Sequence, residues 1–304
     1  MDQRHLRAFV SVADLGGISA AAERLGYAQS TLSVQLQRLE RDLGASLFNR
    51  SNAGAALTEA GQRLLPYARE ALNLEDEMRR VVRSGRPRLR IGALETLAGE
   101  WLPDILAALA QGAAGPEGAA EVSMVVARRA QLEDDLAAGR LDLVFVFDNG
   151  VPTIGPHAVV GHDRTVLVAG PGHPLAKVPR ISQGMLLEAE FLIAEPGCTS
   201  QMLVDRFGQD LTSRTCVSMV TGSLAALRRL ACHGRGVALM PHLSVVGDLE
   251  DGELVELDVC EGLAPVSIEA RWRTGLGPAE APMQAVLRLA RRHQPPSRPL
   301  AETA

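Results

Sequence analysis

The 304-residue chain holds 31 basic and 36 acidic side chains, a formal net charge of −5, with 46% hydrophobic residues and 3% aromatics. That apolar content supports more than one packed domain, and so few rings argue against stacking on the bases of single-stranded nucleic acid. No run approaches the ~18 apolar residues of a membrane span, and the opening MDQRHLRAFVSV lacks a signal-type apolar core, so a soluble, cytoplasmic chain with no membrane partner is expected.

Residues 18–50 carry the clearest pattern. Ile18, Ala21, Ala22 and Leu25 fall at helical intervals, with Gly16, Gly17 and Ser19 offering a start and Gly26 an end. After the turn Gly26-Tyr27-Ala28, the residues Leu32, Leu36 and Leu39 make a second apolar stripe. The opposite face presents Gln29, Ser30, Ser33, Gln37 and Arg38, which near a helix N-terminus can reach base edges while the amides favour phosphate. A plain amphipathic hairpin would show the same stripes. Charge adds partial support. Residues 1–62 hold six arginines and six acids, the first 86 residues sum to +2 and the remainder to −7. Positive potential must therefore be local, at Arg38, Arg41 and Arg50, and binding must depend on pairing of subunits.

The stretch resembles the N-terminal motif of the LysR-type transcriptional regulators, approximately AAxxLxxSQPxLSxQIxxLExxLGxxLFxR. Here it stands as Ala21-Ala22, Leu25, Gln29, Leu32-Ser33, Gln35-Leu36, Leu39-Glu40, Leu43-Gly44, Leu47-Phe48 and Arg50. The resemblance implies a winged helix-turn-helix with Gln29, Ser30, Thr31, Ser33, Val34, Gln37 and Arg38 facing the major groove, and Arg50, Ser51 and Asn52 at the wing tip. Its implied partners are double-stranded operator DNA, further copies in a homodimer or homotetramer, and RNA polymerase if the protein activates. Three positions depart from the pattern. Ala28 replaces the usual capping Ser or Thr, a loss of ~1 kcal/mol in local helix stability. Ser30 stands where Pro is common, and Val34 where Arg is common.

Thr58 is a good N-cap and Glu59 suits the positive helix end, so a long helix is expected from Glu59 to about Val82. Leu64, Ala71 and Met78 recur every seven residues, with Ala68 and Val82 on the same side and Leu65 and Leu72 flanking. Such a stripe needs cover, from its own domain or from a second copy. The resemblance favours a dimerising linker helix, ended by a hinge at Ser84-Gly85-Arg86-Pro87.

Beyond residue 88, strand-like runs (89–93, 121–126, 141–147, 164–169, 191–194, 236–240) alternate with helical ones (101–109, 129–138, from about 200, 223–231). That alternation predicts an α/β body with parallel sheets covered on both faces. The resemblance implies two periplasmic-binding-protein-like lobes with an effector cleft between them. The expected domains are 1–58 (DNA binding), 59–87 (linker helix and hinge), 88–161 plus 266–295 (effector lobe I), 162–265 (effector lobe II) and a disordered tail, 296–304. Ligands of such folds bind beyond strand C-termini, where helix N-termini point inward. That rule selects Glu95, Thr96, Phe147 and Asp148 in lobe I, and Cys198, Thr199, Ser200, Thr221 and Ser223 in lobe II. Their expected occupant is a small-molecule effector. Leu94 and Gln201 depart from the frequent Ser and Arg, against a simple carboxylate clamp.

A solute-binding or enzymatic α/β protein is the competing class. Gly234-Arg235-Gly236 lies before a strand, the wrong order for a dinucleotide fingerprint, no GxSxG occurs, and the seven histidines form neither HxxxH nor HExxH. No catalytic residue, cofactor or metal is expected, and Arg228-Arg229 and Arg291-Arg292 read as solvated helix faces. The four cysteines (198, 216, 232 and 260) contain no CxxC and are expected to be reduced. A redox-sensing alternative rests on Cys198, whose position resembles the reactive cysteine of the family's peroxide-sensing branch.

Overall fold

The computed structural model describes residues 2–51, 54–84, 86–113, 115–148, 150, 152–153, 155–194, 216–260, 263 and 265–295. It begins with a helix that spacing did not reveal, α1 (Gln3–Leu15), capped by the Asp2 carboxylate, which accepts the Arg4 amide at 2.9 Å. Then come α2 (Ile18–Leu25) and α3 (Gln29–Leu43), separated by the left-handed Gly26 (φ 71°), and the antiparallel wing β1 (Phe48–Ser51) and β2 (Gly54–Leu57). Leu32, Leu36 and Leu39 are buried with Phe9, whose ring meets that of Phe48 at 5.4 Å between centroids. Ala21 and Ala22 are buried in the same core, in the helix that packs on both α1 and α3. Gly54 is required by closeness: a Cβ there would come within 2.6 Å of the Gly16 carbonyl oxygen.

Helix α4 (Glu59–Ser84) runs 26 residues through Pro66, and its first turn is capped by Thr58, whose Oγ1 accepts the Gly61 amide at 3.0 Å. Its apolar stripe divides. Ala68 is buried, with Leu64, Leu65 and Leu72 packed against the core formed by α1–α3. Farther along, Leu74, Met78 and Val82 are 55%, 62% and 88% exposed. Between these halves α4 is tied to the rest of the chain. Asn73 donates to the Gly139 carbonyl (2.6 Å) and accepts from Arg90 (3.1 Å). Asp14 of α1 pairs with Arg69 of α4 and lies 3.9 Å from Arg140.

The α/β body comprises β3 (Arg88–Ala93), α5 (Glu95–Glu100), α6 (Leu102–Ala110), β4 (Glu121–Val126), α7 (Arg129–Ala137), β5 (Leu143–Phe147), β6 (His157–Ala169), α8 (Gln183–Leu187), β7 (Glu190–Ala194), β8 (Cys216–Thr221), α9 (Leu224–Cys232), β9 (Val237–Pro241), α10 (Val246–Glu250), β10 (Val255–Glu256), β11 (Pro265–Trp272) and α11 (Glu280–Arg292). One continuous path of strands runs β4-β3-β5-β11-β6-β9-β7-β8, with β10 also on β6. The expectation of purely parallel sheets is corrected: β11 lies antiparallel to both β5 and β6, and β9 antiparallel to β6. Strand β6 is also longer than expected, 13 residues rather than six. It pairs with β11 up to Arg164↔Pro265 and with β9 from Thr165↔Pro241, so one strand serves both lobes. Each lobe has its own apolar core. Leu89, Ile91, Phe145 and Ile268 centre the first; the second lies on two faces, around Phe191 and around Met240. Pro241 ends β9 inside the strand, and the helix expected near residue 200 lies outside the described residues.

Candidate DNA-reading surface and effector cleft

Burying Leu32, Leu36 and Leu39 turns the other side of α3 outward. Gln29, Ser30, Thr31, Val34, Gln37 and Arg38 are exposed there, and Ser33 is half-buried. Ala28 has the extended conformation of an N-cap (φ −66°, ψ 143°) but no side-chain bond to give. The Gln29 and Ser30 amides consequently have no partner among the described residues, leaving them open to an anion. Arg4 and His5 of α1 flank this face, joining Ser30, Thr31, Val34, Gln35 and Arg38 around a groove of about 390 Å³. Spacing gave no sign of them because they reach this face from a different helix, through tertiary packing of α1 on α3. Arg4 also holds the Asp2 carboxyl down at about 2, chiefly through its side-chain hydrogen bond. Arg50 and Ser51 lie on β1, with Arg50 opposite Ala55, and Asn52 is outside the described residues. Glu40 anchors the wing to α3 by accepting the Leu47 amide at 2.8 Å.

In the effector body, β3 ends where α5 begins, and Glu95 stands exposed above a buried Thr96. These face the start of α9 across a cavity of about 60 Å³, lined by Glu95, Thr96, Glu100, Arg228, Met240 and Ser244 among others. The volume is that of roughly two waters. Glu95 reaches the other lobe: Oε1 accepts from Ser223 Oγ (3.2 Å) and the Ala225 amide (3.2 Å), and Oε2 from the Leu224 amide (3.0 Å). Ser223 also caps α9, its Oγ accepting the Ala226 amide, while Thr221 Oγ1 accepts the Ser223 amide.

Residues 3–62 match the family model for the bacterial regulatory helix-turn-helix protein, lysR family, and residues 83–295 match the LysR substrate binding domain. The chain is a LysR-type transcriptional regulator. It is 30% identical over 253 residues to the HTH-type transcriptional regulator YofA of Bacillus subtilis, covering 81% of this chain and 84% of that one. Over 263 residues it is 30% identical to the RuBisCO operon transcriptional regulator of Allochromatium vinosum, covering 84% of each. Its fold is similar to that of full-length LysG from Corynebacterium glutamicum with bound effector Arg, with a TM-score of 0.64 at 23% identity over 97% of this chain and 100% of that one.

In this LysR-type regulator Glu95 and Thr96 line the cavity from lobe I, Ser223 meets Glu95 from lobe II without lining it, and Thr221 is bonded to Ser223. Phe147 is buried at the end of β5, and Asp148 closes a turn by accepting the Gly150 amide at 2.8 Å, so neither lines that cavity. Cys198, Thr199 and Ser200 lie outside the described residues. Arg228 corrects the expectation of a solvated helix face. It is only one-third exposed and lies 3.4 Å from Asp248 and 4.0 Å from Glu100, and it donates to the Ser244 carbonyl at 3.3 Å. A sequence signal did exist: Arg228 lies four residues after Leu224 and shares the inward face of α9. Cys232, Asp248 and Glu253 bring potential ligand atoms within 4.8 Å of one another. Burial, followed by those two acids, pushes the Cys232 thiol up, and Asp248 already lies 3.4 Å from Arg228.

The strand shared by the lobes carries polar groups inside the protein. Asp163 accepts the Leu243 amide at 3.2 Å through Oδ2. Asp163 Oδ1, Thr165 Oγ1 and His242 Nδ1 are buried and have no hydrogen-bond partner among the described residues. Burial pushes the Asp163 carboxyl up and, with the Arg164 charge, the His242 imidazole down.

Proposed function

We propose that this regulator binds duplex operator DNA as a dimer or tetramer in the cytoplasm, and that a small molecule entering the cleft near Glu95, Thr96, Thr221 and Ser223 changes how it binds. The observation that carries the reading is the division of α3, with Leu32, Leu36 and Leu39 buried and Gln29, Ser30, Thr31, Val34, Gln37 and Arg38 outward on one face. Arg38 and the open amides at the start of α3 supply phosphate contacts, and Gln29, Ser33 and Gln37 are long or polar enough for base edges. Arg50, Ser51 and Asn52 would serve the wing.

A formally neutral first 62 residues makes a single reader weak, so pairing matters. The exposed Leu74, Met78 and Val82 on α4 suit a second copy, and pairing would set half-sites about one helical turn, or a multiple of it, apart. Met124, Val125 and Val126, exposed on the terminal strand β4, offer a further self-association surface for a tetramer. The proposed boundaries are 1–58 for DNA binding, 59–87 for the linker, 88–161 plus 266–295 for lobe I and 162–265 for lobe II. The protein acts without catalysis, and it would meet RNA polymerase only as an activator.

A gel shift on the DNA upstream of its own coding region tests the first half. Wild type should bind at low salt, and Arg38→Ala should bind more weakly and with a shallower salt dependence. Equal binding by both would remove α3 as the reader. A thermal-shift screen of small metabolites tests the second half, because a ligand specific to the folded state raises apparent stability.

A further inference from the structure

The first turn of α9 is already occupied, by a carboxylate from the other side of the cleft. Two backbone amides and a hydroxyl converge on both oxygens of Glu95, at 3.0–3.2 Å. The helix they open is nine residues long, so its positive end adds to the attraction. At the other end of α5, Glu100 lies 4.0 Å from Arg228, one turn farther along α9. Both ends of a six-residue helix in lobe I are therefore held against one face of one helix in lobe II. The space they enclose, about 60 Å³, is far below the ~300 Å³ at which small-molecule pockets begin.

We propose that Glu95 is an interlobe latch, a carboxylate of lobe I seated on the α9 N-terminus of lobe II that holds the cleft shut when no effector is bound. The regulatory part of this rests on the reading of the cleft as the effector site. An effector larger than the present cavity binds only the unlatched form, so its apparent affinity is reduced by the fraction of molecules that are latched. Three bonds to a charged acceptor make a real preference for closure. Because Glu95 is exposed, water competes for the same donors, which keeps the open form within reach of a ligand's differential affinity. The sequence position explains the choice of residue. At the first position of α5 an acid is favourable in any case, and here its two oxygens extend that role to a second helix.

The latch can be measured without any ligand, by hydrogen exchange on the full-length protein and Glu95→Gln. Glutamine keeps the length and one acceptor, removes the charge, and turns an NH2 group toward an amide that had been donating. Exchange should rise at least about three-fold in peptides covering 224–226, and also in 95–100 and 242–245, which face the cleft from both lobes. Ser223→Ala, which leaves both amide bonds to Glu95 in place but removes the α9 cap, should speed exchange at Ala226 and give a smaller rise than Glu95→Gln over 95–100. Glu95→Asp, one methylene short of α9 but still charged, should resemble Glu95→Gln. Faster exchange confined to 224–226 would make Glu95 only a helix cap and overturn the latch, as would no change anywhere. If these segments loosen as expected but no metabolite stabilises the protein, the effector reading fails while the latch stands.

Discussion

Replacing Asp163 by Asn should stabilise the protein, and only above the acidic range. Asp163 is 2% exposed on the strand that both lobes share, with one oxygen on the Leu243 amide and the other buried without a partner. Burial raises its pKa despite the Arg164 and Leu243 amides and the Arg164 charge, which favour the ionised form. A folded-state pKa above the unfolded one means that the native protein holds this proton more tightly. Its ionisation then costs stability, beginning near the unfolded pKa of ~3.9 and complete once pH passes the raised folded value. Asparagine keeps a carbonyl for Leu243 and carries no charge. What the substitution removes is the charge on a buried oxygen without a partner, since an unsatisfied buried polar group costs about 1–3 kcal/mol and more when charged. The NH2 group that replaces it is also unpaired, so a net gain of about 1 kcal/mol at pH 8 is expected. At pH 4 the gain should be smaller, because Asp163 takes up its own proton as pH falls through its raised pKa. Urea unfolding of wild type and Asp163→Asn at the two pH values reads the difference directly. A destabilised variant at pH 8, or the same difference at both pH values, would refute the argument.

Asp142 should behave in the opposite sense. Burial would raise its carboxyl, but the hydrogen bonds and charge of Arg90, with the charge of Arg273, outweigh burial and lower it. Its stabilisation is therefore present above the unfolded pKa and lost as pH falls through the folded one; Asp142→Asn should cost about 3–5 kcal/mol at pH 7, seen in urea unfolding, and less in acid. Leu36→Ala, in the packed centre of α3, should cost about 2–5 kcal/mol and abolish operator binding, with the unfolding transition of the effector body left in place in calorimetry. Ala28→Ser should add ~1 kcal/mol to the DNA-binding domain, because the backbone at 28 is already in cap conformation. Ala28→Asp should stabilise it similarly yet weaken binding in a gel shift, by placing a carboxylate where phosphate would approach.

How far the fold could be read from the sequence depended on where each pattern found its cover. The leucines of α3 and the Gly26 turn were legible because their spacing is local and their burial complete. Helix α1 was not legible, although Leu6, Phe9 and Val12 are buried along it, because Leu6, Ala8, Phe9, Val10 and Val12 form a short, nearly continuous apolar run in which helix and strand spacing look alike. The length of β6 was hidden by His157, His162 and Asp163, polar residues in a strand that leaves one core to enter another. Glu95 and Ser223 were legible as residues at strand ends, but their bond was not, since they are 128 positions apart and belong to different lobes. Arg228 looked like surface because its partners, Glu100, Asp248 and the Ser244 carbonyl, come from three other segments.

The attachment of α4 through Asn73, Arg69 and Asp14 makes the linker a lever rather than a tether. Its 26 residues span roughly 39 Å at the helical rise of 1.5 Å per residue. Because Asn73 grips both Gly139 and Arg90, a tilt of lobe I would carry the helix with it. From Asn73 to the end at Glu59 is roughly 21 Å, so a tilt of about 9° displaces that end by roughly 3.3 Å, about the rise of one base pair. Rearrangements too small to remodel either lobe would thus be large enough to put the proposed reading helix in or out of step with its half-site.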